Sequence, residues 1–267
     1  MLFILLLSIS ILTTGEITDS STIESDETPP ENEEPIQPNP PPVVEDEDKK
    51  PMYEIIDNQL IINKDIPDYY NRATPWLNQR NTIQSITIVD GVKNIGAYAF
   101  AYLSLVSSVM IPKSVEYIGT SAFLLNSNLQ EIDLQQNEKL KEIPDTCFYQ
   151  CSQLTSIKVN DNVQKIGDGT FYECTSLKEF LFPSSLLTIG NNAFYHCENI
   201  QAILLKESVL SIGTNAFYQC KKVETIVLSS SLIKVGANAF KGISLVKRME
   251  MGVKIEYMEE NVFYSNE

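Results

Sequence analysis

IGDGTFYECTSLKEFLF (residues 166–182), IGNNAFYHCENIQAILL (189–205) and IGTNAFYQCKKVETIVL (212–228) follow one another at intervals of 23 residues. Ile, Gly, Phe, Tyr and Cys recur at fixed places in all three, and aliphatic or aromatic residues close each copy. Working outward, the same Phe recurs as Phe100, Phe123, Phe148, Phe171, Phe194, Phe217, Phe240 and Phe263, each 23 residues from the next except for one step of 25. Five residues ahead of it lies Ile95-Gly96, Ile118-Gly119, Ile166-Gly167, Ile189-Gly190 or Ile212-Gly213, with Ile143-Pro144 and Val235-Gly236 as variants. A small residue precedes the Phe: Ala99, Ala122, Cys147, Thr170, Ala193, Ala216 and Ala239. A fixed period of this length marks stacked repeats.

After each Phe comes an apolar triplet, as in Val106, Val109, Ile111, or Ile200, Ile203, Leu205, and a first triplet, Ile83, Ile86, Ile88, precedes the first Phe. Its last two members alternate with polar neighbours, which predicts one buried face of a short strand. Pro112 and Pro183 should stop their strands. Ile-Gly should bury an aliphatic side chain and then bend the backbone. Ala-Phe should pack a small beside a large residue on a short helical turn. One unit cannot bury such a face alone, whereas stacked units bury it against each other. The 25-residue copy should hold its two additional residues as a bulge around Asn137-Glu138-Lys139.

The pattern L-x-x-I-x-L, then I-G-x-x-A-F, often followed by Cys, resembles the BspA-like leucine-rich repeats, surface proteins of host-associated bacteria and protists. The resemblance runs from about Tyr53 to the C-terminus and includes Pro67-Asp68-Tyr69 and Thr74-Pro75-Trp76. It implies an α/β repeat class: a leucine-rich-repeat solenoid of about eight 23-residue units with short strands, over residues 81–267. Residues 53–80 are expected to form an N-terminal cap, with Trp76 as its apolar plug. It also implies a secreted or cell-surface location and a protein ligand on host matrix or cells.

Residues 1–15, MLFILLLSISILTTG, read as a signal peptide: the apolar run Leu2–Leu12 is too short to span a bilayer and small residues follow it. No basic residue precedes the run, and a buried core helix is the competing reading. Residues 16–52 carry twelve acidic side chains against Lys49 and Lys50, and eight of the thirteen prolines. This composition predicts a disordered, extended linker or, alternatively, a Pro-rich ligand for a groove. The segment accounts for −10 of the net charge of −15, leaving −5 for the rest. Clustered Lys and Arg are missing, which argues against nucleic acid. No membrane span is expected in the mature chain, and no Asn-x-Ser/Thr acceptor occurs.

Cys151, Cys174, Cys197 and Cys220 form a column, and Cys147 fills a small-residue slot. Coils about 5 Å apart bring neighbouring cysteines within disulfide range. The column is equally explained by small buried hydrophobes. An odd total leaves at least one thiol unpaired within the chain. His196, the only histidine, could join Cys174, Cys197 and Cys220 in a metal site. Its slot is held elsewhere by Gln150, Glu173 and Gln219, so it is expected at the surface, and no metal or cofactor is expected.

The outward column of the predicted strands reads Met110, Asp133, Lys158, Leu181, Leu204, Val227, Glu250. Leu181, Leu204 and Val227 should expose an apolar stripe, edged by Glu179, Ala202 and Thr225, for a partner, for self-association, or for neither. Tyr149, Tyr172, Tyr195 and Tyr218 form a second column, read either as an interface or as a stiffening ladder. The solenoid has no obvious polar C-terminal cap, so self-association through that end is a further expectation. One histidine in a variable slot is incompatible with a His-based triad, and phosphate-cradling or paired-cysteine motifs are absent from the sequence. The chain therefore reads as an extracellular recognition and adhesion module and not an enzyme. The alternative is a structural or antigenic coat protein without a specific ligand.

Overall fold

The computed structural model describes residues 50–70, 73–251 and 255–264. The expected signal peptide and nearly all of the expected linker lie outside them. The described chain is a β-solenoid of about eight turns, with two walls of short parallel strands and a third side made of turns.

The apolar triplets build the first wall. Gln59–Ile62, Ser85–Ile88, Ser108–Met110, Glu131–Leu134 and Ser156–Val159 run parallel, and Ala202–Leu204, Thr225–Val227 and Arg248–Glu250 resume the wall beyond a break. The residue pair ending in Ile of Ile-Gly builds the second wall. Glu142–Ile143, Lys165–Ile166, Thr188–Ile189, Ser211–Ile212, Lys234–Val235 and Tyr257–Met258 stack in register, and Asn94–Ile95 pairs with Tyr117–Ile118. Alternation puts Ile132 and Leu134, or Ile203 and Leu205, inside. The repeat Phe fills the interior between the walls. Phe100 through Phe240 are fully or almost fully buried, and successive rings lie 5.1–5.6 Å apart, mostly face to face. Every coil thus hands its ring to the next, which is how a unit too small to form a core acquires one.

Four local expectations are corrected. First, the Ala-Phe side carries no helix. Among the described residues the one helical segment is a 3-10 turn, Leu77–Gln79, so the α component of the expected α/β class is not found. The reason lies in the backbone. Residues two before and two after the Phe adopt left-handed conformations, for example Asn192 (φ 54°) and His196 (φ 55°) around Phe194, and Asn215 and Gln219 around Phe217. Such residues terminate a right-handed helix, and Asn tolerates them better than most.

Second, the Ile-Gly glycines are required by close approach and not by a bend. Gly190 and Gly213 have no positive φ, but a Cβ on Gly213 would sit 2.5 Å from the Asn191 backbone nitrogen, in the preceding coil. Third, the extra residues of the long copy are Gln135 and Gln136. Leu134 pairs with Val159, 25 residues on, whereas the Asn137 carbonyl accepts from the Asn160 side chain, 23 residues on. Asn137 is buried and donates to the Pro112 and Val115 carbonyls, so it is a rung of an internal amide ladder and not a bulge.

Fourth, the copy Leu177–Pro183 forms no strand. Among the described backbone hydrogen bonds, none involves Glu179, Phe180, Leu181 or Phe182. Two bulky rings occupy the inward places that Ile and Leu or Val hold in the copies on either side. Phe180 packs against Phe171 and Phe194, and Phe182 against Phe194 and Phe217. Pro183 takes the place of Asn160 and supplies neither side-chain amide nor N–H, so the ladder ends there. The coil stays in register, because Lys178 N–H still donates to Thr155 and Gln201 N–H to Lys178.

At the N-terminal end, Tyr53–Ile56 and Gln59–Ile62 form an antiparallel hairpin, closed by Asp57 and Asn58 with positive φ. Ile66-Pro67-Asp68 lies against Ile95-Gly96-Ala97: Ile66 bridges Ile95, and the Asp68 carboxylate accepts from Ala97 N–H. Trp76 is buried, stacks on Phe100 at 6.0 Å, and donates its indole N–H to the Ala99 carbonyl.

Candidate functional site

The outward residues of the first wall share one surface. Register sets Ala202 beside Thr225 and Leu204 beside Val227, then Thr225 beside Arg248 and Val227 beside Glu250. Leu181 precedes Leu204 by one coil and is 78% exposed, and Leu204 is 47% exposed. Val227 and Thr225 are half-buried, and Glu179 is exposed. The five residues singled out from the sequence therefore come together, with Leu181 and Glu179 on an irregular segment instead of a strand.

Two features of this surface were not anticipated. A cavity of about 400 Å³ opens at the break in the wall, lined by Phe180, Leu181, Phe182, Leu204, Lys178 and Lys206 among others. It exists because residues 179–182 leave the hydrogen-bonded ladder. The stripe is also framed by ion pairs: Lys158–Asp133 at 3.3 Å on one side, and Arg248–Glu250 on the other. The opposite charges are visible in the sequence, and their strand slots predict the pairing.

The remaining candidates have structural roles. Each column thiol donates to the carbonyl of the Phe one coil back: Cys151 to Phe123, Cys174 to Phe148, Cys197 to Phe171, Cys220 to Phe194, at 3.0–3.2 Å. All five cysteines are free and fully buried. Burial raises their pKa values, that of Cys151 to about 12, which leaves them as thiols at neutral pH. Tyr149, Tyr172, Tyr195 and Tyr218 stack at 4.5–4.9 Å with rings within 5° of parallel. Their faces are taken up by one another, which is the stiffening ladder and not an open aromatic platform. Burial pushes the Tyr172 hydroxyl up to about 12.

His196 is partly exposed, 3.3 Å from Glu198, which also accepts from Lys221 at 2.8 Å. The hydrogen bond from Lys221, aided by His196, lowers the Glu198 pKa. Among the described residues no cluster of three or more His, Cys, Asp or Glu side chains is arranged for a metal ion. No helix among them is long and apolar enough to cross a membrane.

The family model for the BspA type leucine-rich repeat region matches six copies, over residues 77–151 and 141–267. The chain belongs to that family. In leucine-rich-repeat terms, the triplet wall is the repeat sheet; Leu204 and Val227 sit on its outward face, with Leu181 on the irregular segment beside them. Solved structures share the fold. A leucine-rich repeat protein from Bacteroides ovatus is 21% identical over 68% of this chain and 58% of its own, with a TM-score of 0.50. This chain thus spans little more than half of that protein. The T. pallidum leucine-rich repeat protein is 20% identical over 77% of this chain and 82% of its own (TM-score 0.49). A leucine-rich cell surface protein from Faecalibacterium prausnitzii is 20% identical, covering 79% and 77% (TM-score 0.46). No curated protein matches.

Proposed function

We propose that this chain is an extracellular protein-binding module that recognises its partner through the repeat sheet, and is not an enzyme. The observation that carries the reading is the placing of Leu181 and Leu204, both exposed, beside the half-buried Val227 on one face. An exposed apolar patch costs solubility, and on a folded protein it commonly marks an interaction site. The adjoining cavity offers a seat for one apolar side chain of the partner, with Lys178 and Lys206, and also Asp161 and Glu179, in its lining. Surface display is supported by the chain's match to the BspA type leucine-rich repeat family. In the same reading residues 1–15 direct secretion, residues 16–52 space the solenoid from its neighbours, and residues 53–80 cap its first coil.

The test is binding of the full chain to immobilised matrix proteins and host cells. A Leu181→Glu, Leu204→Glu, Val227→Glu variant with an unchanged thermal melt runs beside it. Saturable binding lost in the variant is expected. Binding that the variant retains overturns the assignment, and no binding by either form favours self-association or a coat role without a specific ligand.

A further inference from the structure

Read across the coils, the outward column is Lys158, Leu181, Leu204, Val227, Glu250. It is cationic, three times apolar, then anionic, with Leu204 at the centre. The steps are one coil each, and where the strands pair, from Leu204 to Val227 to Glu250, they are about 4.8 Å, the spacing of neighbouring strands. Such a column is its own complement when reversed. Turned about a two-fold axis that lies between the faces and parallel to the strands, a second copy sets Lys158 opposite Glu250, Leu181 opposite Val227, and Leu204 opposite Leu204. The neighbouring column obeys the same operation. Ser156 meets Arg248, Glu179 meets Thr225, and Ala202 meets Ala202, so no like charges face each other.

We propose that the partner of this sheet face is a second copy of the chain, docked face to face in this antiparallel order. The inference rests on the sheet face being the recognition surface and names its occupant. It turns that surface into a homotypic contact, the isologous type in which one patch serves both subunits. Lys158 and Glu250 are available for it. Each is more than half exposed, and each is held within its own chain only by a solvated ion pair, Lys158 to Asp133 and Glu250 to Arg248. Exposed pairs of this kind contribute little and share their charge readily. In the dimer they extend into an alternating row, Asp133, Lys158, then Glu250 and Arg248 of the second copy. The cavity beside Leu181 accepts the apolar side chain that projects from the opposite face. Three apolar residues framed by charge make a small interface, so association is weak and dependent on concentration, with a dissociation constant of roughly micromolar to millimolar.

The pattern dictates the experiment: sedimentation equilibrium of the full chain, of Lys158→Glu, of Glu250→Lys, of the two variants mixed in equal amounts, and of Leu204→Glu. All three substituted residues are exposed, and a thermal melt checks each fold. The wild type should dimerise. Each charge reversal sets like charges opposite each other at both ends, and should weaken the dimer by about three- to tenfold. The equimolar mixture restores both pairs and should return to wild-type affinity, as a heterodimer. Leu204→Glu, which meets itself on the axis, should be monomeric. A wild type that stays monomeric overturns the proposal, as does a dimer indifferent to Leu204→Glu, or a mixture no tighter than either variant alone. If the wild type is monomeric while the triple stripe variant loses binding to another protein, the homotypic partner is refuted and the recognition face stands.

Discussion

Replacing Phe194 by Ala removes a ring from the middle of the stack. Phe194 is fully buried between Phe171 and Phe217, 5.1 Å from each, and Phe180 and Phe182 touch its edge. Truncating a buried Phe costs about 3–5 kcal/mol, from lost transfer energy and from the cavity left behind. The upper half of that range applies, because two stacks and two edge contacts go together and aromatic pairs add about 0.5–1.5 kcal/mol each beyond burial. Relaxation is limited as well, since both neighbouring coils are held by their own rings. Phe263 is the control. It is only partly buried and stacks on Phe240 alone, at 5.2 Å, so Phe263→Ala should cost about 1–1.5 kcal/mol. Urea unfolding of the full chains, followed by far-ultraviolet circular dichroism, reads the difference. At an m-value of about 2.5 kcal/mol/M, Phe194→Ala should lower the midpoint by about 1.5–2 M and Phe263→Ala by about 0.5 M. Equal shifts, or a Phe194→Ala shift below about 0.4 M, would refute a continuous aromatic core shared between coils.

The buried thiols predict a pH dependence. The folded pKa of Cys151 is raised to about 12 against about 8.5 unfolded, so its contribution is complete below about pH 8.5 and is lost as pH rises towards 12. At pH 10 that loss is about 2 kcal/mol, and Cys151→Ala should unfold with correspondingly less decline between pH 7.5 and 10; an identical decline would refute it. All five thiols should resist a disulfide reagent at pH 8 until the chain is denatured, and fast labelling of the native protein would show that the column is not buried. For Gly213→Ala, the new methyl group meets the backbone of Asn191 and Gly190 at 2.5–2.6 Å, which forces the coils apart. A loss of about 1–3 kcal/mol in chemical denaturation is expected, and a neutral result would remove close approach as the reason for the Ile-Gly motif.

Much of the architecture was legible because repetition converts packing into periodicity. A residue that must face its own counterpart in the next coil recurs at a fixed interval, and the columns of Phe, Ile-Gly and Cys announce a shared interior. The indole of Trp76 stood outside the period, and its place against the first coil was implied only by the resemblance of Thr74-Pro75-Trp76 to the segment that precedes such repeats. The left-handed positions were also in reach: Asn192, Asn215, Asn238 and Asn261 form a column two residues before Phe, with Gly169 in the same slot, and Asn tolerates that backbone better than most residues other than Gly. The expected helical turn overlooked this signal.

The break at Glu179–Phe182 was not legible, because Phe180 and Phe182 satisfy the same apolar pattern as Ile203 and Leu205. A binary pattern records which side chains turn inward. It does not record how far two rings push a backbone from its neighbours, and ladder hydrogen bonds fail over fractions of an ångström. The cavity beside Leu181 follows from that displacement. The charge pairs lie nearer to the sequence: composition gives Asp133, Lys158, Arg248 and Glu250 only as charges, and their outward strand slots set Asp133 next to Lys158, 25 residues on. The chain's order of residues therefore settles the repeat, the interior and the outward columns, each governed by a period. The tertiary structure alone decides where the wall opens and how much of each apolar side chain stays in water, because those depend on distances between coils that no period encodes.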